Sequence, residues 1–507
     1  MLISLDVFDT AIFRDVYDPK DIFSLVAPDF QNKRILAERK CNELIRHPQL
    51  KDIYKFLPGY NMQIEINLEL DHCFANKKIL DMYNSDKKNE YIFISDMYLS
   101  SDTLVKMLEK CGYKNPKVFV SCEQRASKSS GLFKIVQEKL GRKIDKHYGD
   151  NYRADILGAK NAGITPVFLP KIQDKTLHKV NVQNPMLKRY LAEVEDTDCC
   201  SLQKLAMKYA AVLTIFTNWV ISHRKSPSTK IFFLSRDMYV PYKIAKDFMK
   251  AENVFYLHAS RKSLASIALK SQSKYLHNKM DIILSKEQQK EILASNDDKE
   301  VVEYLKSMEM HYGDIVVDIG YIGTIQKLLE LALNIKLKGL YIQLDDKRFQ
   351  DLDMSFFTQR KSIYSRALAE IVIGSPEEEI IGYKNCKPIF NRDSDIREEL
   401  AEKLTNWMLE SIPNTLKLLK LPVSSKDCEL ILSDVQTFVD QEILDFYNST
   451  IFSDKKKNES AINYDKELIK QGKLIELYNT SYSKQLFKKM LENDKEFAHL
   501  IGLLPKW

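Results

Sequence analysis

Residues 1–10 read MLISLDVFDT, and the fold turns on what this segment is. The apolar run 2–5 has the length of a short buried strand, and it ends at Asp6, with a second acid, Asp9, three positions on. The same grammar recurs downstream. EYIFISD (90–96) precedes the amphipathic DTLVKMLEKCGY (102–113). KVFVSCE (117–123) precedes SGLFKIVQEKLG (130–141), where Gly141 takes the C-terminal cap position. HYGDNYRADILGAKNAGITPVFLP (147–170) reads as a loop, a helix and a last strand. Strands alternating with helices at this spacing predict a doubly wound parallel sheet over residues 1–172. Residues 14–90 are helical in pattern and predict a cap inserted after the first strand.

Periodicity fades over 173–200, which ends in EVEDTDCC and reads as a linker. A second alternation fills 201–395. KIFFLSRDMYV (230–240) is strand and loop, VPYKIAKDFMK (240–250) is helix, and VFYLHASRKSLASIAL (254–269) is strand, loop and helix. DIVVDIGYIGTIQKLLELAL (314–333) repeats the pattern, and LKGLYIQLD (337–345) supplies one more strand. The expected class is therefore α/β, with two Rossmann-like doubly wound parallel-sheet domains and a charged helical region over 396–507.

Bulk properties narrow the function. The 507 residues are 44% hydrophobic and 29% charged, and 76 basic side chains against 70 acidic ones leave a net charge of +6. That balance gives no case for nucleic acid, although basic loops can still hold phosphates. Eight scattered cysteines lack the ligand spacing of structural zinc and read as reduced thiols. Asp6 would interrupt the apolar core of a signal peptide. YAAVLTIFTNWVIS (209–222), at 14 residues, is shorter than the roughly 20 a membrane span needs. A cytoplasmic protein, peripheral at the inner membrane at most, is expected.

Four pieces fall where strands end, the edge at which open parallel sheets bind ligands. They are DVFDT with Asp6 and Thr10, FIS with Ser95, SKSSGLF with Lys128, and GDNYRAD with Asp150 and Asp155. Over the first 170 or so residues their order and spacing resemble the four motifs of the haloacid-dehalogenase-like (HAD) hydrolases, a superfamily dominated by phosphatases. The resemblance implies Asp6 as the nucleophile that forms an aspartyl-phosphate. It implies Ser95 and Lys128, with Thr10, as ligands of the phosphoryl oxygens, and Mg²⁺ held by Asp6, the Phe8 carbonyl and Asp150. Asp155 would orient that metal or Lys128. Family phosphatases carry a general acid two residues after the nucleophile. Here Phe8 stands there, so Asp9 or a cap residue has to supply the proton, and dehalogenation stays open on this motif alone.

Three loops of the second sheet carry phosphate-binding groups: Ser235, Arg236 and Asp237; Ser260, Arg261 and Lys262; and Asp318 followed by Gly320, Gly323 and Thr324. A glycine–threonine turn entering a helix offers backbone N–H groups and a hydroxyl to an anion. DIGYIGT resembles a shortened phosphoribosyltransferase signature, with one acid rather than two. Joined to the first domain, these loops resemble two-domain ribofuranosyltransferases of bacterial capsule and O-antigen assembly. There the second domain transfers ribofuranose 5-phosphate from phosphoribosyl pyrophosphate to a lipid-linked glycan, among other assembly enzymes, and the first removes the 5-phosphate. On that resemblance Asp318 binds ribose hydroxyls or metal. Gly320, Gly323 and Thr324 take the 5-phosphate. Arg236, Arg261 and Lys262, with Ser235 and Ser260, take the pyrophosphate, and Asp237 is the candidate base. EIVIGSPEEEIIGY (370–383) reads as an exposed acidic loop, with a place bordering the acceptor as the other reading. Two other readings stand beside this one: a lone sugar-phosphate phosphatase with a binding domain, and a non-catalytic assembly scaffold.

Overall fold

A computed structural model describes residues 1–172, 182–295, 297–320, 322–343, 349–358, 372–391, 397–437, 442, 451–452, 459–460, 464–481, 484–493 and 496–504. The chain forms two compact units: Met1–His178 with Pro185–Asp196, and Lys179–Asn184 with Thr197–Trp507.

The first unit is built on seven strands: β1 (Leu2–Leu5), β2 (Ile12–Arg14), β3 (Cys73–Ala75), β4 (Glu90–Ser95), β5 (Val118–Val120), β6 (Lys146–Gly149) and β7 (Thr165–Phe168). Five of them form a parallel sheet in the order β5-β4-β1-β6-β7. β1 is buried on both faces, as a continuous apolar run in a central strand requires. Leu5, Phe93, Leu104 and Met107 pack one face of the sheet, and Leu2, Ile94, Phe133 and Val136 the other. Gly141 ends the helix Leu132–Leu140 in a left-handed cap at φ 60°, as its position predicts.

The opening of the segment read as a loop, 147–149, is corrected by the structure. It belongs to β6, which pairs with β1 and β7. KHYG has no apolar run to betray it, because the strand's buried side chain is His147, held by polar partners.

The segment read as a cap is mostly helical from Pro19 to Ser85 and is accompanied by an antiparallel ribbon of β2 and β3. Ile22, Phe23, Phe30, Ala37, Ile53 and Leu57 form its own core. Two buried ion pairs cross it, Arg34–Glu65 at 2.8 Å and Arg14–Glu69 at 2.7 Å. Within the stretch read as a linker, Pro185–Asp196 is a helix of this first unit. Met186, Leu187, Tyr190, Leu191 and Val194 are buried, and Tyr17 N donates to the Pro185 carbonyl at 3.2 Å.

The second unit holds β8 (Ile231–Leu234), β9 (Val254–Leu257), β10 (Ile315–Asp318), β11 (Lys338–Tyr341) and β12 (Asp353–Phe356), all parallel, in the order β12-β11-β10-β8-β9. β12, DMSF, escapes sequence reading because its four residues show no strand period. An antiparallel hairpin, β13 (Ile380–Lys384) and β14 (Lys387–Phe390), follows. The apolar helix is longer than 209–222 and runs Ser201–Ser222. It is long and apolar enough to cross a membrane, yet 72% of its most apolar window is buried inside the protein. The C-terminal helices join this unit rather than standing apart: Thr415, on Arg397–Thr415, and Thr214 share a hydroxyl–hydroxyl bond at 2.7 Å.

Candidate functional sites at two strand edges

In the first unit, Asp6 follows β1 directly, its amide held by the Tyr148 carbonyl of β6 at 2.8 Å. Ser95 ends β4, Lys128 opens a short turn at 128–130, and Asp150 follows β6. All four sit at the carboxyl edge of the sheet and are buried. The Lys128 ammonium bonds Asp6 Oδ1 at 2.5 Å and Asp155 Oδ1 at 2.5 Å, while its backbone N–H donates to Asp96 at 2.9 Å. Asp155 is held from every side. His147 Nε2 lies 3.0 Å from Oδ1, and Asn151 N donates to Oδ2 at 2.9 Å. Gly149 is required here, since a Cβ on it would lie 2.2 Å from the Asp155 carboxyl carbon. The Ser4 hydroxyl, 2.8 Å from His147 Nδ1, closes a buried chain from Ser4 through His147 and Asp155 to Lys128 and Asp6.

Burial pushes the Asp6 carboxyl well above the usual carboxylate range; Lys128 pulls it back, and Asp155 and Asp150 push it further up. Burial works against the Lys128 charge, but Asp6, Asp155 and Asp96 outweigh it and hold the ammonium protonated. Burial would also raise Asp155, and Lys128 with His147 more than reverses that, keeping it ionised. Burial lowers His147, so the ring is neutral and can donate from Nε2 to Asp155 while accepting the Ser4 proton at Nδ1.

Carboxylate oxygens of Asp6, Asp150 and Asp155 lie within 4.8 Å of one another. Three acids converging on an oxygen-lined edge fit a hard divalent cation, whose charge would favour the ionised form of Asp6. Asp155 already accepts three bonds, one of them from Lys128, and Asp6 accepts from the same ammonium. The Thr10 hydroxyl donates to Asp150 Oδ1 at 3.5 Å, which makes it a brace for that acid.

Asp9 sits in a left-handed turn at φ 55°, and burial raises its carboxyl, opposed by Lys171. The Phe8 ring carries the Arg14 guanidinium 3.9 Å above it. Sequence reading missed Lys171, whose ammonium lies 2.7 Å from Asp150 and 3.8 Å from Asp9. It missed Asp96 and His147 as well. Only FISD itself hinted at Asp96, and no motif marks the other two.

In the second unit the strand order places its reversal between β8 and β10, the point where open sheets bind ligands. Ser235, Arg236 and Asp237 leave β8 there, and Asp318 ends β10. Asp318 Oδ1 accepts from Ile319 N at 2.8 Å. Burial, with Asp237 as a second upward push, brings the Asp318 carboxyl up to about 7, against Ile319 N–H and Arg261. Gly320 (φ +139°) has no room for a side chain: a Cβ would meet the Gln343 carbonyl oxygen at 2.0 Å. Gly323, at φ 81°, caps the helix Thr324–Leu333 and sets Thr324 at its first turn.

Arg236 is held at φ 69°, its N–H donating to the Tyr256 hydroxyl at 2.7 Å. Two predicted ligands are engaged elsewhere. The Ser260 hydroxyl donates to the Ile380 carbonyl at 2.6 Å, and Lys262 pairs with Glu379 at 2.6 Å. Ser235 Oγ lies 3.3 Å from the Ala259 carbonyl and ties the loops after β8 and β9 together. The acidic stretch is therefore not an exposed loop. Glu377 and Glu379 are half-buried, drawn in by Tyr256 and Lys262. Residue 321 and residues 370–371 lie outside the described residues.

No protein-family model and no curated protein matches the chain. Among solved structures it is similar to a haloacid dehalogenase-like family hydrolase from Xanthomonas campestris, at 14% identity, over 36% of this chain and 86% of that one, with a TM-score of 0.25.

Proposed function

We propose that the first unit is a Mg²⁺-dependent phosphomonoesterase and the second a phosphoribosyl transferase, so that one chain adds and then trims a ribofuranose 5-phosphate on a glycan of the bacterial surface. The observation that carries the first half is the buried array of Asp6, Lys128, Asp155 and Asp150 at one strand edge. Asp6 attacks phosphorus while the ester oxygen departs, giving an aspartyl-phosphate and a sugar hydroxyl. Lys128 neutralises the phosphoryl oxygens, and Asp155 keeps it aimed. Asp9, its carboxyl raised by burial, gives its proton to the leaving oxygen and takes one back from the water that releases phosphate. Mg²⁺, held by Asp6 and Asp150 with the Phe8 carbonyl, would stabilise charge on the phosphoryl group.

The second half rests on the resemblance of the three loops, supported by Asp237 and Asp318 at the switch point with Arg261 acting on Asp318. A donor pyrophosphate suits the cationic loops, and Asp237 would take the acceptor proton. Calorimetry with phosphoribosyl pyrophosphate and Mg²⁺, followed by assays of pyrophosphate and phosphate release, tests both halves. Phosphate release from ribose 5-phosphate without donor binding would leave a lone phosphatase; neither activity would leave a scaffold.

A further inference from the structure

β9 is an edge strand of the second sheet, and an open groove of about 490 Å³ runs along it. Tyr239, Tyr242, Tyr256, His258, Lys246 and Glu377 line it. The three tyrosines are half-buried, and Tyr239 and Tyr242 both pack against Tyr256. Tyr242 and Tyr256 centroids lie 5.4 Å apart at 31°, and Tyr239 meets Tyr256 edge-on at 5.6 Å. Half-exposed phenol rings offer apolar faces beside hydroxyls, and the groove adds a carboxylate acceptor and an ammonium donor. A ligand matching that surface has apolar C–H faces and a periphery of hydroxyls. Nucleic acid and lipid chains do not combine those two properties; a sugar chain does.

We propose that this groove is a carbohydrate subsite that holds the acceptor glycan, an assignment of the acceptor role that rests on the transfer reading. Its floor is wired to the candidate transfer loop. The Tyr256 hydroxyl accepts from Arg236 N at 2.7 Å and donates to Glu377 at 2.7 Å. Sugar hydroxyls that engage Glu377 therefore act on the same bond chain that holds the left-handed Arg236 next to Asp237.

The test presents the full chain to an array of bacterial surface oligosaccharides, with Tyr242→Ala, Tyr239→Ala and Tyr242→Phe beside wild type. Circular dichroism and the second unit's thermal transition serve as the check that each variant is folded. The expected result is a bound set of oligosaccharides whose affinity falls about tenfold or more in either alanine variant and is kept by Tyr242→Phe, about 1.4 kcal/mol at tenfold. An array silent for wild type, or binding unchanged in both alanine variants, overturns the proposal. Should an alanine variant misfold, Lys246→Glu on the exposed rim is the substitute, and unchanged binding there to every acidic oligosaccharide counts against the groove equally. Sugar binding that persists when phosphoribosyl pyrophosphate fails to bind ends the transfer reading and leaves the subsite standing.

Discussion

Replacing Asp318 with Asn should make the second unit more stable, and only above a certain pH. An ordinary aspartate titrates near 3.8, whereas Asp318 is brought up to about 7 by burial and by Asp237. A raised folded-state pKa means that the folded state binds the proton more tightly than the unfolded chain. Protonated Asp318 therefore favours folding at low pH, and that advantage is lost as pH climbs from about 4 to about 7. A gap of about 3 units at 1.36 kcal/mol each sets an upper bound of about 4 kcal/mol, and relaxation around a half-buried group brings the expected effect nearer ~2 kcal/mol. Asn keeps the oxygen that accepts from Ile319 N and removes the charge. Scanning calorimetry of wild type and Asp318→Asn at steps from about pH 4.5 to about pH 8.5 should show a gap in the second unit's transition that widens up to about pH 7 and then stays flat. A gap independent of pH, or a variant less stable at the alkaline end, would refute the reasoning.

Asp6→Asn should abolish phosphate release and leave transfer intact, because the two candidate sites lie on different sheets; mass spectrometry should find a product heavier by one phosphate, and loss of both activities in a folded variant would count against separate sites. Asp150→Ala removes one of the carboxylates facing the cation site and should raise the Mg²⁺ concentration needed for half-maximal phosphatase activity at least about tenfold, with full activity in chelator overturning the metal assignment. Gly149→Ala forces a Cβ to 2.2 Å from the Asp155 carboxyl carbon and should lower stability by on the order of 2 kcal/mol or more while releasing Lys128. A folded variant with wild-type phosphatase kinetics would show that Asp155 does not position the lysine. Asp237→Asn removes the candidate base and should lower any transfer rate by on the order of 100-fold or more, and an unchanged rate would show that another group takes the acceptor proton.

Local pattern was enough to locate β1, β4, β8, β9, β10 and β11, because buried parallel strands are continuous apolar runs and their helices keep a 3.6-residue period. It also put Asp6, Ser95 and Asp150 at strand ends, since a strand end followed by a polar residue is a local feature, whereas Lys128 comes after the helix Ser121–Gln124 that follows β5. What sequence could not reveal depends on partners far along the chain. β6 pairs with β1 and β7 around a buried polar side chain, His147, which meets Ser4 from β1 and Asp155 from the helical segment after it. Lys171 reaches Asp150 and Asp9 from beyond β7, with no motif of its own. Ser260 and Lys262 look like free ligands in SRKS, yet the backbone of Ile380 and the carboxylate of Glu379, more than a hundred positions away, claim them. Residue order determined which groups stand at strand ends. Tertiary packing alone decided which of them are already bonded, and burial decided which carry charge: it raised Asp6 and Asp318, while close cationic and imidazole partners kept Asp155 ionised.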